Sequence, residues 1–175
     1  MLAYRDGDVG AFETLYARHK GALFRFVLRS VRERARAEEL YQEVWMRVIE
    51  ARERYQPQAR FATWLYTIAH HRLIDHWRRH ELRTVSLDDE EAAAAEPAAN
   101  PGLEPERMVQ ARQSLARLAQ AIAGLPAAQR EAFLLHEEAG LSVSEIAAAT
   151  GANEEAAKRR LRYAVSRLRA ALGDV

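Results

Sequence analysis

Apolar residues recur along this chain at intervals of three and four positions, the spacing of one face of an α-helix. Gly and Pro contribute only eight and five of the 175 residues, while the helix formers Ala, Leu, Arg and Glu dominate. We therefore predict an all-α protein, with two of its helices inside residues 141–172. The other predicted helices cover approximately Val9–His19, Ala22–Val31, Ala37–Arg54, Phe61–Arg79, Glu106–Ile122 and Ala127–Glu138.

The segment from 141 to 172 has the local signals of a helix-turn-helix. Ser142 followed by Glu145 forms a capping box, which marks the start of a helix. Gly151 suits the turn, and Asn153 is a favourable N-cap for the next helix. These signals agree with one another and predict two consecutive helices.

The second of these helices is amphipathic and basic. Its apolar stripe is Ala157, Leu161, Val165, Leu168 and Leu172. Its opposite side carries Lys158, Arg159, Arg162, Ser166 and Arg169. In a DNA-binding helix-turn-helix, early residues of the second helix enter the major groove, where Lys and Arg contact guanine edges and phosphates. The alternative is a solvated basic face on an ordinary helical hairpin.

Composition narrows the class of protein. With 49% hydrophobic residues the chain can bury one medium core or two small ones. The absence of cysteine excludes disulfides and thiolate metal sites. No signal peptide or membrane-spanning run is visible, so we expect a soluble, cytoplasmic protein without membrane insertion.

Charge divides the chain into three parts. Residues 1–83 hold 16 Lys/Arg and 11 Asp/Glu, residues 107–175 hold 10 and 7, and residues 84–106 hold seven acids and no base. The acidic part contains three of the five prolines and no hydrophobic periodicity, so we predict a flexible linker; a helix over 89–96 is the alternative. The architecture predicted is two small helical domains, 1–83 and 107–175, joined by this linker.

The third and fourth predicted helices carry side chains that suit binding. The third has an inward stripe at Leu40, Val44, Val48 and Ala51. On another side it has an acidic and amide-bearing face, with a methionine and the nearby Trp45, that could dock a basic partner or could be a solvated surface. The fourth can supply a core stripe at Phe61, Leu65, Ile68, Ala69 and Leu73. It also interleaves aromatic and basic groups, a mixture that suits single-stranded nucleic acid; the alternative is that its tryptophans are core residues. These groups are Trp64, Tyr66, His70, His71, Trp77, Arg78 and Arg79.

With these motifs in place, the chain resembles a sigma-70 family RNA polymerase sigma factor of the extracytoplasmic-function (ECF) class. The similarity lies in four stretches, in the family's order and spacing, which together cover nearly everything but the linker. They are GDVGAFETLYARH (7–19), AEELYQEVWMRV (37–48), FATWLYTIAHHRLIDHWRR (61–79), and LPAAQREAFLLHEEAGLSVSEIAAATG followed by KRRLRYAVSRLRAAL.

The resemblance implies three groups of binding residues and no catalytic activity, metal or cofactor. Docking on the clamp helices of the polymerase β′ subunit would involve Glu39, Gln42, Glu43 and Met46. Capture of the non-template strand of the minus-10 element would involve the 55–60 loop with Phe61, Trp64, His71, Arg72, Asp75, Arg78 and Arg79. Contact with minus-35 duplex would involve Lys158, Arg159 and Arg162 on bases and Arg160 and Tyr163 on phosphate.

The resemblance also implies partners. They are core RNA polymerase, through its β′ clamp helices and β flap, promoter DNA, and an anti-sigma factor.

Departures from the family pattern are expected to affect which promoter sequences are preferred. His71 stands where relatives commonly have Asn, Ala156 and Ala157 replace a frequent Thr-Val pair, and Arg159 occupies a usually small polar position.

Two other classes of function stay open. A stand-alone helix-turn-helix regulator would bind duplex DNA tightly without polymerase. A metal-dependent enzyme would use His70, His71, His76 and His80, but no HExxH motif or cysteine completes a ligand set.

Overall fold

The computed structural model describes the backbone of residues 1–84 and 105–173, with side chains for 1–79 and 110–173. All regular structure in these ranges is helical, which confirms the predicted all-α fold. The helices are α1 (Leu2–Arg5), α2 (Val9–Val31), α3 (Arg34–Glu50), α4 (Phe61–Thr84), α5 (Pro105–Ala123), α6 (Ala127–Glu137), α7 (Val143–Thr150) and α8 (Glu154–Leu172). We call residues 1–84 the first unit and residues 105–173 the second unit.

The short N-terminal helix α1 was not predicted. It is held by Tyr4, whose buried ring lies 4.9 Å from that of Phe12. The guanidinium of Arg52 lies 5.6 Å from the Tyr4 ring centroid, and Arg5 donates a hydrogen bond to the carbonyl of Tyr55. Through these contacts α1 rests on the 3-10 turn Arg52–Arg54, which precedes the 55–60 loop.

Helix α2 corrects a sequence prediction. Two helices, Val9–His19 and Ala22–Val31, were expected, but one helix runs from Val9 to Val31 through Gly21. Asp8 caps it by accepting a hydrogen bond from the backbone N–H of Ala11. Glycine inside a helix costs only about 1 kcal/mol, and burial of the apolar residues that follow it outweighs that cost. Those fully buried residues are Leu23, Phe26 and Val27.

A Gly21→Ala variant is expected to raise the free energy of unfolding by about 0.5–1 kcal/mol, because alanine is the better helix former. An added Cβ would meet only the end of the Arg25 side chain, at 3.4 Å. Denaturant unfolding followed by circular dichroism measures the change. Gly7→Ala is the matched control: with φ of +106° at Gly7, alanine there is expected to destabilise. Destabilisation by Gly21→Ala would argue against a continuous α2.

The first unit is a bundle of α2, α3 and α4 around one core. Leu40, Val44 and Val48 of α3 are buried as predicted, while Ala51 is half-buried. Along α4 the predicted stripe is buried at Leu65, Ala69 and Leu73 and half-buried at Phe61 and Ile68.

In the second unit, α8 packs against α5, α6 and α7. Its buried residues are Ala157, Ala164 and Leu168. Of the predicted apolar stripe, Ala157 and Leu168 are therefore buried, Leu161 and Val165 are half-buried and Leu172 is 37% exposed. Ala164, which was not predicted to be part of the stripe, is fully buried.

The two units pack against each other. Helix α7 lies on α4, and α5 and α6 lie on α2, so that residues of both units belong to one hydrophobic core cluster. The predicted linker, 84–106, lies outside the described residues except at its two ends: Thr84 is the last residue of α4, and α5 begins at Pro105.

Candidate nucleic-acid interface

The helix-turn-helix forms by the local interactions that its sequence predicts. The Ser142 hydroxyl oxygen accepts a hydrogen bond from the backbone N–H of Glu145, and the Glu145 carboxylate accepts one from the backbone N–H of Ser142 at 2.9 Å. Gly151 takes a left-handed conformation with φ of 63°, and Asn153 accepts a hydrogen bond from the N–H of Ala156 at 2.7 Å. The capping box, the turn and the second cap are therefore confirmed.

One side of α8 is cationic and exposed. Lys158, Arg159 and Arg162 are all exposed, while Arg160 is half-buried. Tyr163 is 46% exposed, and the Arg162 guanidinium lies 5.3 Å from its ring centroid. The helix thus presents charged groups that can reach phosphates and guanine edges, on the side opposite its packed residues.

A groove of about 350 Å³ lies between the end of α3 and the first turns of α4. Three residues predicted for strand capture, Trp64, His71 and Arg72, line it together. The sequence interpretation missed the rest of its lining, because those residues lie on α3, after it, or on the side of α4 predicted to face the core. They are Arg47, Glu50, Ala51, Arg54 and Ile68.

Trp64, which lines this groove, packs against two further aromatic rings. The ring of Trp64 lies edge-on to Tyr55, with centroids 4.9 Å apart, and 5.8 Å from Phe61. Phe61 also contacts His19 at 5.2 Å, and burial, followed by the charges of nearby arginines, lowers the pKa of His19. A planar surface beside cationic side chains suits stacking of unpaired bases.

The far end of the predicted capture surface is an ion-paired cluster. Asp75 forms ion pairs with Arg72 at 2.7 Å and with Arg78 at 3.4 Å. Arg78 and Arg79 are exposed, whereas Arg72 and Asp75 are half-buried. Asp75 therefore orients two guanidinium groups rather than extending an acidic surface.

The predicted polymerase-docking face on α3 is exposed at all four positions. Met46 is 54% exposed, and Glu39 pairs with Arg36 at 2.8 Å. Gln42 also borders a shallow cavity of about 520 Å³ with Tyr16, Phe24 and Tyr41 among its walls. The remaining member, Glu43, is exposed as well.

Two aromatic residues lie elsewhere than the sequence suggested. Trp45 was expected near the acidic face of α3, but it is 5% exposed and contacts the rings of Phe12 and Tyr16. Tyr66 was grouped with the nucleic-acid side of α4, but it is fully buried and its ring meets that of Phe26 edge-on. Both rings fill space between helices, which the pattern on one helix does not reveal.

His70 faces the second unit. Its Nδ1 lies 2.6 Å from the Oε1 of Glu131.

Among residues with described side chains, no group of three or more His, Cys, Asp or Glu is arranged to hold a metal ion. None of the described helices is long and apolar enough to cross a membrane.

With this geometry established, two family models match the chain: "Sigma-70 region 2" over residues 15–83 and "Sigma-70, region 4" over residues 115–168. The RNA polymerase sigma factor CarQ of Myxococcus xanthus is 36% identical over 176 residues, which cover 100% of this chain and 97% of that protein. The ECF RNA polymerase sigma factor RpoE of Cereibacter sphaeroides is 33% identical over 173 residues, which cover 97% of this chain and 91% of that protein.

Solved structures share the fold. The sigma factor RpoE in complex with the anti-sigma factor NepR from Bartonella quintana matches with a TM-score of 0.78 at 24% identity, over 94% of this chain and 98% of that one. CnrH in complex with the cytosolic domain of CnrY matches with a TM-score of 0.69 at 24% identity, over 98% of this chain and 94% of that one.

Proposed function

This chain belongs to the sigma-70 family of RNA polymerase sigma factors, in the ECF class, and we propose how its two units divide promoter recognition. It is a transcription initiation factor that recognises promoters. In our proposal, residues 1–83 form region 2, residues 107–175 form region 4, and residues 84–106 are the acidic linker between them. The observation that supports this division is that the two units have chemically different surfaces: exposed cationic residues on α8, and a groove on the first unit lined by Trp64, His71 and Arg72.

The second unit is proposed to bind the minus-35 duplex. Lys158, Arg159 and Arg162 would contact base edges, because they are exposed on the early turns of α8. Arg160 and Tyr163 lie beside them and would contact phosphates. This surface contains the positive charge that duplex binding requires.

The first unit is proposed to hold the melted non-template strand of the minus-10 element. Trp64, with Phe61 beside it, provides the stacking surface, and His71 and Arg72 border the same groove. Arg78 and Arg79 extend the positive charge along α4, and Asp75 orients Arg72 and Arg78. Stacking plus backbone neutralisation is the usual basis of single-strand binding.

The exposed α3 face is proposed to dock on the β′ clamp helices of core polymerase, with an additional contact of the second unit on the β flap. The docking residues are Glu39, Gln42, Glu43 and Met46. Exposed acids beside an exposed methionine give a surface that is complementary to a basic partner and has an apolar contact point.

Further partners follow by analogy. A relative of similar fold was solved with an anti-sigma factor, and we propose that an anti-sigma factor also restrains this chain. We infer that the chain itself catalyses no reaction and needs no cofactor, since polymerase performs the chemistry, and that it acts in the cytoplasm.

Reconstitution of the purified chain with core polymerase tests the proposal. We expect transcription from native promoters whose mapped start sites share two upstream elements. Failure to bind core polymerase, or transcripts with no common upstream elements, would contradict it. Tight duplex binding by the chain without polymerase would instead favour the stand-alone regulator.

Trp64→Leu is expected to weaken capture of the melted strand while preserving apolar packing. Loss of base stacking costs about 1–3 kcal/mol per base, which corresponds to about 5- to 150-fold in affinity. Binding of holoenzyme to a promoter with a pre-melted minus-10 element measures the effect. Trp77→Leu is the matched control, because Trp77 is a half-buried tryptophan of the same helix that does not line the groove. Equal affinities for the two variants would count against Trp64 as the stacking residue.

A further inference from the structure

The connection between α3 and α4, residues 51–60, has one buried side chain. It begins with the 3-10 turn Arg52–Arg54, and residues 56–60 are all exposed, whereas Tyr55 is only 6% exposed. The Tyr55 ring lies 4.9 Å from the Trp64 ring and 6.4 Å from the Phe61 ring, measured between centroids. The position of Tyr55 therefore determines what Trp64 packs against beside the groove.

Hydrogen bonds within the connection are few and local. The N–H groups of Arg54 and Tyr55 bond to the carbonyls of Ala51 and Arg52, and the N–H of Gln58 bonds to the carbonyl of Gln56. None of these three bonds attaches the connection to another helix. A segment of this kind depends on side chains from other elements for its position.

Helix α1 supplies such contacts at two points. The Tyr4 ring lies under the guanidinium of Arg52, 5.6 Å from its centroid, and Arg5 donates a hydrogen bond to the carbonyl of Tyr55 at 3.4 Å. A helix of four residues is not stable by itself, so tertiary contacts must hold α1 in place.

The anchor of α1 is the core of the first unit. Tyr4 is 7% exposed, and its ring lies 4.9 Å from that of Phe12. Phe12 in turn meets the buried ring of Trp45 edge-on at 5.8 Å. A continuous series of ring contacts therefore joins the packed core to α1, and α1 to the connection that precedes the groove.

The contact with Tyr4 also fixes the direction of the 3-10 turn. Such a turn has three residues per revolution, so successive side chains point about 120° apart. With Arg52 held against Tyr4, Arg54 points in another direction, and it lines the groove together with Trp64. Without the Arg52 contact the turn would be free to rotate and to move Arg54 away from the groove.

We propose that Tyr4 and Arg5 are positioning residues for capture of the melted strand. Tyr4 fixes the Arg52–Arg54 turn, Arg5 fixes the backbone at Tyr55, and together they hold the Tyr55–Trp64 ring pair in place before DNA arrives. Residues of α1 do not line the groove, so they act through its lining rather than on the strand. The proposal rests on the proposed function, because the groove is the surface proposed to hold that strand. A stacking surface that is already ordered loses less conformational entropy when it binds.

Fluorine NMR of the full-length chain, labelled with 5-fluorotryptophan, tests the positioning without DNA. The chain has three tryptophans, and Trp64→Leu and Trp77→Leu assign their resonances. Tyr4→Leu should shift or broaden the Trp64 resonance and leave that of Trp77 unchanged, because Trp77 lies about three and a half turns further along α4. Tyr4→Phe keeps the ring and should preserve the Trp64 resonance. An unmoved Trp64 resonance in a folded Tyr4→Leu chain would overturn the proposal.

Binding of reconstituted holoenzyme to a promoter with a pre-melted minus-10 element measures the consequence for capture. Tyr4→Leu and Arg5→Met should each lower affinity by about three- to tenfold, whereas Tyr4→Phe should bind like the unmodified chain. When it is combined with Trp64→Leu, Tyr4→Leu should have little further effect, because both substitutions act through the same ring. Fully additive losses would show that Tyr4 does not act through Trp64 and would overturn the proposal.

Val27→Ala is the control for a general loss of stability. Val27 is fully buried on α2, about 22 Å along that helix from Phe12 at 1.5 Å per residue. The variant should lower the free energy of unfolding and leave both the Trp64 resonance and the affinity for pre-melted DNA unchanged. Equal weakening of strand capture by Val27→Ala and Tyr4→Leu would reduce the role of Tyr4 to stability and overturn the positioning.

Comparison with Trp64→Leu separates the positioning role from the proposed function. If Trp64→Leu weakens strand capture and a folded Tyr4→Leu chain does not, the positioning role alone is overturned. If neither variant weakens capture, the groove does not hold the strand. That result would contradict the proposed function of the groove and, with it, any role of α1 in capture.

Discussion

Replacing Glu39 and Glu43 with arginine is expected to abolish binding of the chain to core RNA polymerase while leaving its fold intact. Both side chains lie on the exposed face of α3, so the substitutions remove no core packing. Glu39 loses only its surface pair with Arg36, which is worth about 0.5 kcal/mol or less. Opposed like charges at a protein interface cost several kcal/mol, so we expect affinity to fall by about 100-fold or more.

Pull-down of core polymerase and competition with the unmodified chain measure this loss. Glu13→Arg with Glu137→Arg is the matched control, since it changes charge by the same amount at two exposed helical positions outside the α3 face. The control should bind normally. If the α3 variant captured polymerase as well as the control does, the docking face would have to be sought elsewhere.

The second large effect concerns the minus-35 element. Lys158→Ala and Arg162→Ala should each cost about 1–3 kcal/mol of binding free energy at the promoter, because each removes a group proposed to contact base edges. Both side chains are exposed on α8, so the variants should fold normally. Transcription by reconstituted holoenzyme from promoters with systematically varied minus-35 sequences gives both the loss and the altered base preference.

Arg112→Ala with Arg117→Ala is the control for lost positive charge, because both are exposed residues of α5. A general electrostatic role would weaken binding equally in the two sets and would leave sequence preference unchanged. Base recognition predicts that only the α8 variants change which minus-35 sequence is preferred. An unchanged preference would therefore refute the assignment even if overall affinity fell.

The features that sequence predicted well are local. The capping box at Ser142, the glycine turn at Gly151 and the Asn153 cap each depend on neighbouring residues, and all three have the expected geometry. The resemblance to the sigma family, carried by motifs along the chain, is likewise confirmed by the matching family models. The binding roles of individual residues stay predictions.

What sequence did not predict depends on contacts between distant residues. Gly21 signals a break, but packing of the apolar residues after it keeps α2 continuous. Helix α1 has only four residues and therefore no periodicity, and it is stabilised by side chains such as Arg52 that are far away in sequence. The prediction that Tyr66 lies on the nucleic-acid side of α4 was wrong, because its ring is buried against Phe26 of α2.

The contact between the units is the clearest such case. Glu131 and His70 are 61 positions apart, and neither residue alone indicates that they meet. Local pattern identifies a cationic helix or an acidic position, but it contains no information on which surface faces which. The packing of the two units against each other is therefore a property of the folded chain that only its tertiary structure reveals.

The exposure of the α3 face while the two units are packed together has a kinetic consequence for the proposed docking. If this face is the docking surface, as proposed, it is accessible before any separation of the units. The encounter with polymerase would then be a second-order step whose rate constant is independent of how firmly the units are joined.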